Sequence, residues 1–284
     1  MAEIIRGARP IQSSLVEQHY KKHQYCTISL EDYVKTWRSW LTSTSHKSIN
    51  GLQNFICGNY THGTSQVFDH FVLKHSGRRE IVNFKGDFQY HSCISKHQKF
   101  RTLDNTTDLS AGQALIISAP FSDFGKIHPG FDDILDRCTL LEIPICLDLA
   151  YWGISKNINV DLDHPCIQEV TSSLSKPFYT LENHRCGIRF SREYLDDGIS
   201  MINEVKMQNL FSMSLAVHYM NSFDADWAWR YYGSSYSGVC DQLELDQTDT
   251  LIFGTSKHAK YDCFNRGIPG NNRICISEFF KDIT

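Results

Sequence analysis

No stretch of this sequence approaches the roughly 18 consecutive apolar residues that a membrane-spanning helix needs, so no bilayer span is expected. The opening residues, Met1-Ala2-Glu3-Ile4-Ile5-Arg6, lack an apolar signal core and a small-residue cleavage pattern. A cytoplasmic location is therefore expected rather than secretion. An excess of one charge sign is missing too: 28 Lys and Arg stand against 32 Asp and Glu, a net charge of −4. That balance provides no basic field for nucleic acid and no polybasic patch for a membrane surface. Repeats, low-complexity tracts and charge runs are absent. The ten cysteines, scattered from Cys26 to Cys275, show no Cys-x-x-Cys spacing, and the thirteen histidines show no His-Glu-x-x-His. Reduced thiols in a cytosolic protein are expected, with no disulfide scaffold and no metal site.

What is present is enough apolar sequence for a sizeable core: 41% hydrophobic residues over 284. Residues 1–30 read as an irregular arm. Ser29 is a plausible N-cap for a helix to about Leu41, with Tyr33, Val34, Trp37, Trp40 and Leu41 on one face. A second helix is expected from Thr64/Ser65 to Gly77, and a third from Phe131 to Leu141. Nearly continuous apolar runs at 80–84, 114–118, 143–148, 167–172 and 187–190 read as strands. Buried strands alternating with helices point to an α/β fold, a mainly parallel sheet covered on both faces in three layers. One long helix is expected over 196–222. From Asp224 on, a small α+β lobe is expected, with strands near 250–253 and 273–276 and with Trp227–Tyr232 in its core. The expected division is a large domain over 45–205, with 1–44 and 206–284 as an N-terminal arm plus a small C-terminal lobe.

Four features fall at strand-to-loop or loop-to-helix junctions, where α/β sheets bind ligands. Gly63-Thr64-Ser65 leads into a helix, so its free N–H groups suit a phosphate, although Thr or Ser there can be only a cap. Asp148, in Asp148-Leu149-Ala150-Tyr151, ends an apolar strand; it is either a partner for a buried cation such as a pyridinium N–H, or a turn cap. Lys176, in Ser172-Ser173-Leu174-Ser175-Lys176, is either a solvated loop cation or an amine able to form a Schiff base with an aldehyde. Arg185 and Ser173 can hold a phosphate beside it. Arg273, in Asn272-Arg273-Ile274-Cys275-Ile276, is either a fork for a carboxylate or a surface salt-bridge residue.

Taken in order, Gly-Thr-Ser, Asp-x-Ala-Tyr-x-Gly, Ser-x-Ser-Lys, an arginine nine residues after the lysine and a late Arg-Ile-x-Ile resemble the fold-type I, aspartate-aminotransferase-like pyridoxal-phosphate enzymes. The resemblance spans about residues 58–278 and implies that 45–205 is the cofactor-binding domain. It implies pyridoxal 5′-phosphate as cofactor, with Lys176 as its Schiff-base lysine and proton carrier. Asp148 would pair with the pyridine nitrogen, and Tyr151 would bond the phenolic oxygen. Gly63, Thr64, Ser65, Ser173 and Arg185 would hold the phosphate, and Arg273 the substrate α-carboxylate. Within Gly86-Asp87-Phe88-Gln89-Tyr90-His91, Phe88 is the implied stacking ring, with Tyr90 the alternative, and His91 stands behind Asp148. The implied activity is transamination between an L-amino acid and a 2-oxo acid by a homodimer. A lyase, cyclase or racemase, or a non-catalytic protein of the same fold, are the alternatives. Three departures stand out. Ala119 replaces the family's asparagine, leaving Ser122 or Asp123 as substitute donors; the spacing from Lys176 to Arg185 is one residue longer than usual; and the chain is shorter than typical members.

Overall fold

The computed structural model describes residues 3–88, 90 and 100–280. The N-terminal segment, expected to be irregular, contains a helix, α1 (Ser14–Lys22), whose N-cap Ser13 accepts from the Val16 N–H. Helix α2 (Leu30–Thr42) starts where its cap signal puts it, the Ser29 side chain accepting the Asp32 N–H. Its Tyr33, Trp37, Trp40 and Leu41 are buried. There follow β1 (Ser48–Asn50), β2 (Cys57–Thr61), α3 (Thr64–His75), β3 (Glu80–Phe84), β4 (Phe100–Leu103), β5 (Gln113–Ser118), β6 (Ile145–Asp148), β7 (Asn159–Asp161), β8 (Ile167–Ser173) and β9 (Gly187–Ser191).

Seven strands form one sheet in the order β2-β9-β8-β6-β5-β3-β4. Those from β8 to β4 run parallel, and β9 is antiparallel to both its neighbours. The alternation along β5 shows why the sheet needs cover on two sides. Ala114 and Ile116 join a core with Val67, Phe68, Phe71 and Val72 of α3. Leu115 and Ile117 join the opposite core with Ile134, Leu135 and Cys138 of the helix Phe131–Leu140. Each such fully buried Leu or Ile contributes about 1.5–3 kcal/mol. The register pairs Ser118 with Asp148 and Asp148 with Thr171, which brings the carboxyl ends of β5, β6 and β8 together.

Other expectations also need correction. The single helix over 196–222 is two helices, Gly198–Glu204 and Leu210–Ser222. Lys206 adopts a left-handed backbone (φ 59°), and Asn209 starts the second helix by accepting from the Ser212 N–H. The C-terminal stretch carries a helix of 17 residues, Trp227–Leu243, not foreseen because glycine and serine recur along it. Of the run Trp227–Tyr232, expected in the core, Trp227, Ala228, Trp229 and Tyr232 are buried, while Arg230 and Tyr231 are exposed. The strands there are β10 (Asp246–Gln247), β11 (Phe253–Ser256) and β12 (Asn272–Cys275), in one antiparallel sheet; β11 lies after the strand expected at 250–253, where residues 251–252 form a turn. Residues near the N-terminus lie along this sheet, with Ile5 bridged to Cys275. Among the described residues, no helix is long and apolar enough to cross a membrane.

Candidate active site

A cavity of about 320 Å³ opens at the carboxyl ends of β6 and β8 and the start of α3. Thr64, Ser65, Phe88, Asp148, Tyr151, Ser173, Lys176 and Arg185 line it. Residues 120 positions apart in sequence thus face one space.

At one end the surroundings suit an anion. Gly63 begins α3 with φ 113°, and no side chain caps the helix, so its first-turn N–H groups and dipole favour negative charge. That φ favours glycine, and a Cβ there would sit 2.7 Å from Arg185 Nη2, so the guanidinium would have to shift. Arg185 itself holds a left-handed backbone (φ 55°), secured by the Tyr60 hydroxyl donating to its carbonyl at 3.0 Å. Ser173 Oγ donates to the Cys186 carbonyl and lies 3.0 Å from Ser175 Oγ. Ser175, inside the Ser-x-Ser-Lys motif, also lines the cavity.

The other end is acidic and buried. Asp148 is 4% exposed, and its Oδ1 accepts the Ala150 N–H at 2.9 Å. Burial pushes its carboxyl up to about 8, and the neighbouring Asp87 charge adds to this; the Ala150 N–H, Ser118 and Lys176 pull the other way. A cation seated in the cavity would restore the carboxylate. Phe88 and Tyr90 present nearly parallel rings, 16° apart with centroids at 6.1 Å, and both line the cavity. The Tyr90 hydroxyl donates to both Asp69 oxygens at 3.0 Å. Tyr151 sets its ring edge-on to Phe253, with centroids 5.3 Å apart. Lys176 Nζ donates to the carbonyl of Ala8, which closes part of the rim. The closure by Ala8 has no local sequence signal, since it depends on the N-terminal segment reaching β12.

Arg273 is placed differently. It is fully buried and does not line the cavity, so it is neither a surface salt-bridge residue nor, in this arrangement, an open fork for a ligand. Its Nη1 donates to Ser122 O and Oγ at 2.9 and 3.0 Å, its Nη2 to Arg6 O at 3.3 Å, and its guanidinium lies 4.1 Å from the Phe253 ring centroid. Ala119 is buried, its N–H given to the Asp148 carbonyl. Neither proposed substitute donor lines the cavity: Ser122 accepts from Arg273, and Asp123 accepts from the Asn271 amide. His91 lies outside the described residues.

No family model and no curated protein matches the chain. Solved structures do match over nearly its whole length. One is the PLP-bound C-S lyase from Staphylococcus hominis, at 10% identity and TM-score 0.66, covering 95% of this chain and 86% of that one. Another is the tyrosine aminotransferase from Leishmania infantum, at 13% identity and TM-score 0.67, covering 95% and 87%. A third is the aminotransferase AspB from Helicobacter pylori, at 13% identity and TM-score 0.66, covering 97% and 88%. The chain has the fold of type I pyridoxal-phosphate-dependent enzymes. In this type I fold the cavity sits where open α/β sheets bind ligands, outside the carboxyl ends of the strands.

Proposed function

We propose that the cavity holds pyridoxal 5′-phosphate and that the protein is an aminotransferase acting on an L-amino acid and a 2-oxo acid. The observation that carries this reading is the convergence of Lys176, Asp148 and the Gly63–Arg185 anion cradle on one cavity. The cradle fits a phosphate, and the buried Asp148 carboxyl fits a ring N–H cation. When bound, the cofactor supplies an aldehyde carbon and a ring that withdraws electrons from the substrate's α-carbon. The chain's own groups do the rest. Arg185, Thr64, Ser65, Ser173 and the N–H groups of α3 bind the phosphate. Asp148 holds a proton at the ring nitrogen, and Tyr151 bonds the phenolic oxygen. Lys176 Nζ would hold the aldehyde end of the cofactor and would move a proton to and from the α-carbon. Phe88 covers the ring face, with Tyr90 beside it. The Ala8 segment keeps water from the rim.

The division into a cofactor-binding unit over 45–205 with flanking arm and lobe, a homodimeric state and a cytoplasmic location belong to this proposal. A second reading keeps the cofactor but ends in elimination, as in a lyase. It is favoured by Ala119, which offers no side-chain donor to the phenolic oxygen, and by the engagement of Arg273 away from the cavity. A non-catalytic protein of this fold would have no use for Lys176 and Asp148 in one cavity.

Adding pyridoxal phosphate to the purified protein should produce a violet-edge absorbance band that disappears on borohydride treatment and is missing in Lys176→Ala. Uptake of no cofactor would sink both enzyme readings. Single amino acids should convert the cofactor to its amine form; consumption of an amino acid with no such conversion would replace transamination by the second reading.

A further inference from the structure

Asp87 does not line the cavity, yet only 3% of it is exposed. It sits in the turn after β3, fixed by two backbone donors. Its Oδ1 accepts the Phe88 N–H at 2.8 Å and its Oδ2 the Ser118 N–H at 3.0 Å. These bonds join it to a residue whose ring lines the cavity and to the strand residue paired in register with Asp148. Ser118 Oγ is buried, influences both carboxyls and makes no well-formed hydrogen bond to either. The loop bearing Arg266 closes over the turn: a Cβ on Gly86 would meet Ile268 Cδ1 at 2.5 Å and Asp123 Cβ at 2.9 Å.

We infer that Asp87 is a positioning residue for Asp148, a second buried carboxylate tied through Ser118 to the strand pair that carries Asp148, so that a cationic ring seated on Asp148 is held more tightly. The inference rests on the cavity being a pyridoxal-phosphate site. Two acids in one dry place cannot both ionise cheaply. Burial lifts Asp87 to about 6, held down by the Phe88 and Ser118 donors and by Arg266, whose Nη2 donates to the Asp87 carbonyl at 3.4 Å. Arg266 is itself shared with Asp123, 3.6 Å away, and stands beside Arg273. The Asp87 charge in turn lifts Asp148, against the pull of Lys176. The two acids therefore titrate in two coupled steps. When a cation occupies the cavity, it meets Asp148 with a second buried carboxylate close by, on the far side of the Ser118 link.

The test is carboxyl ¹³C NMR of the cofactor-free protein labelled at aspartate, in wild type, Asp87→Asn and Asp148→Asn. In wild type, the Asp148 carbon should show a secondary inflection at the Asp87 step, an observation that needs no variant to fold. In Asp87→Asn the Asp148 step should fall by about one unit, and in Asp148→Asn the Asp87 step should stay. In the same Asp87→Asn protein the Kd for pyridoxal phosphate at pH 9, above the Asp148 step, should rise about tenfold, while inorganic phosphate binds as in wild type. An Asp148 carbon that titrates in one step, unmoved in Asp87→Asn, overturns the inference. Failure of wild type to take up pyridoxal phosphate overturns the cofactor reading separately, whichever way the carboxyls titrate.

Discussion

Replacing Asp148 by Asn should stabilise the cofactor-free protein at neutral pH and reduce its stabilisation by pyridoxal phosphate. The carboxyl ordinarily titrates near 3.8 and is pushed up to about 8 here by burial first and the Asp87 charge second. A folded-state pKa above the unfolded value means that the native state binds the extra proton between the two values. The native state is then favoured at low pH and loses that advantage as pH rises towards 8. The slope for one proton is about 1.4 kcal/mol per pH unit, so wild type should lose about 2 kcal/mol relative to Asp148→Asn between pH 6 and 7.5. Other raised carboxyls, such as Glu169 and Asp69, are common to both proteins and cancel in the difference. Urea unfolding of both cofactor-free proteins at a series of pH values measures it. Pyridoxal phosphate should reverse the order, because its ring cation stabilises only the wild-type carboxylate. Parallel stability curves from pH 5 to 8 would refute the reasoning, since Asp148 would then be ionised throughout.

Gly63→Ala puts a Cβ at φ 113° and 2.7 Å from Arg185 Nη2. It should cost about 1–3 kcal/mol of stability and displace the guanidinium, weakening inorganic phosphate binding in a calorimetric titration. Lys47→Met strips the partner from Asp226, which Lys47 Nζ meets at 2.6 Å with both side chains almost wholly buried. About 3–5 kcal/mol should be lost in a urea melt, and the double variant Lys47→Met/Asp226→Leu should regain most of it. Arg273→Ala leaves the Ser122 and Arg6 carbonyls without their donor. It should destabilise the protein by about 1–3 kcal/mol; a rise in substrate KM with an unchanged melting temperature would show that Arg273 serves the substrate instead.

Most of the large sheet was legible because its strands are nearly continuous apolar runs, such as Gln113–Ser118, bounded by polar turns. Helix α2 was legible through its Ser29 cap. The helix Trp227–Leu243 was not, because Gly233, Gly238 and several serines weaken its local signal; burial of Trp227, Trp229, Tyr232 and Tyr236 is what supports it. At the site, Lys176, Asp148, Arg185 and Thr64 could be picked out from short motifs in a fixed order, and they face one cavity. Asp87, Ala8 and the inward turn of Arg273 depend on contacts between distant segments, which no local pattern encodes.

The central claim is that Lys176 is the amine that meets an aldehyde cofactor in this cavity. Incubation with pyridoxal phosphate, borohydride reduction and peptide mass spectrometry test it directly. The account predicts one phosphopyridoxyl adduct, on Lys176, suppressed by inorganic phosphate and lost in Arg185→Met. An adduct on another lysine, or none on a folded protein, would contradict it.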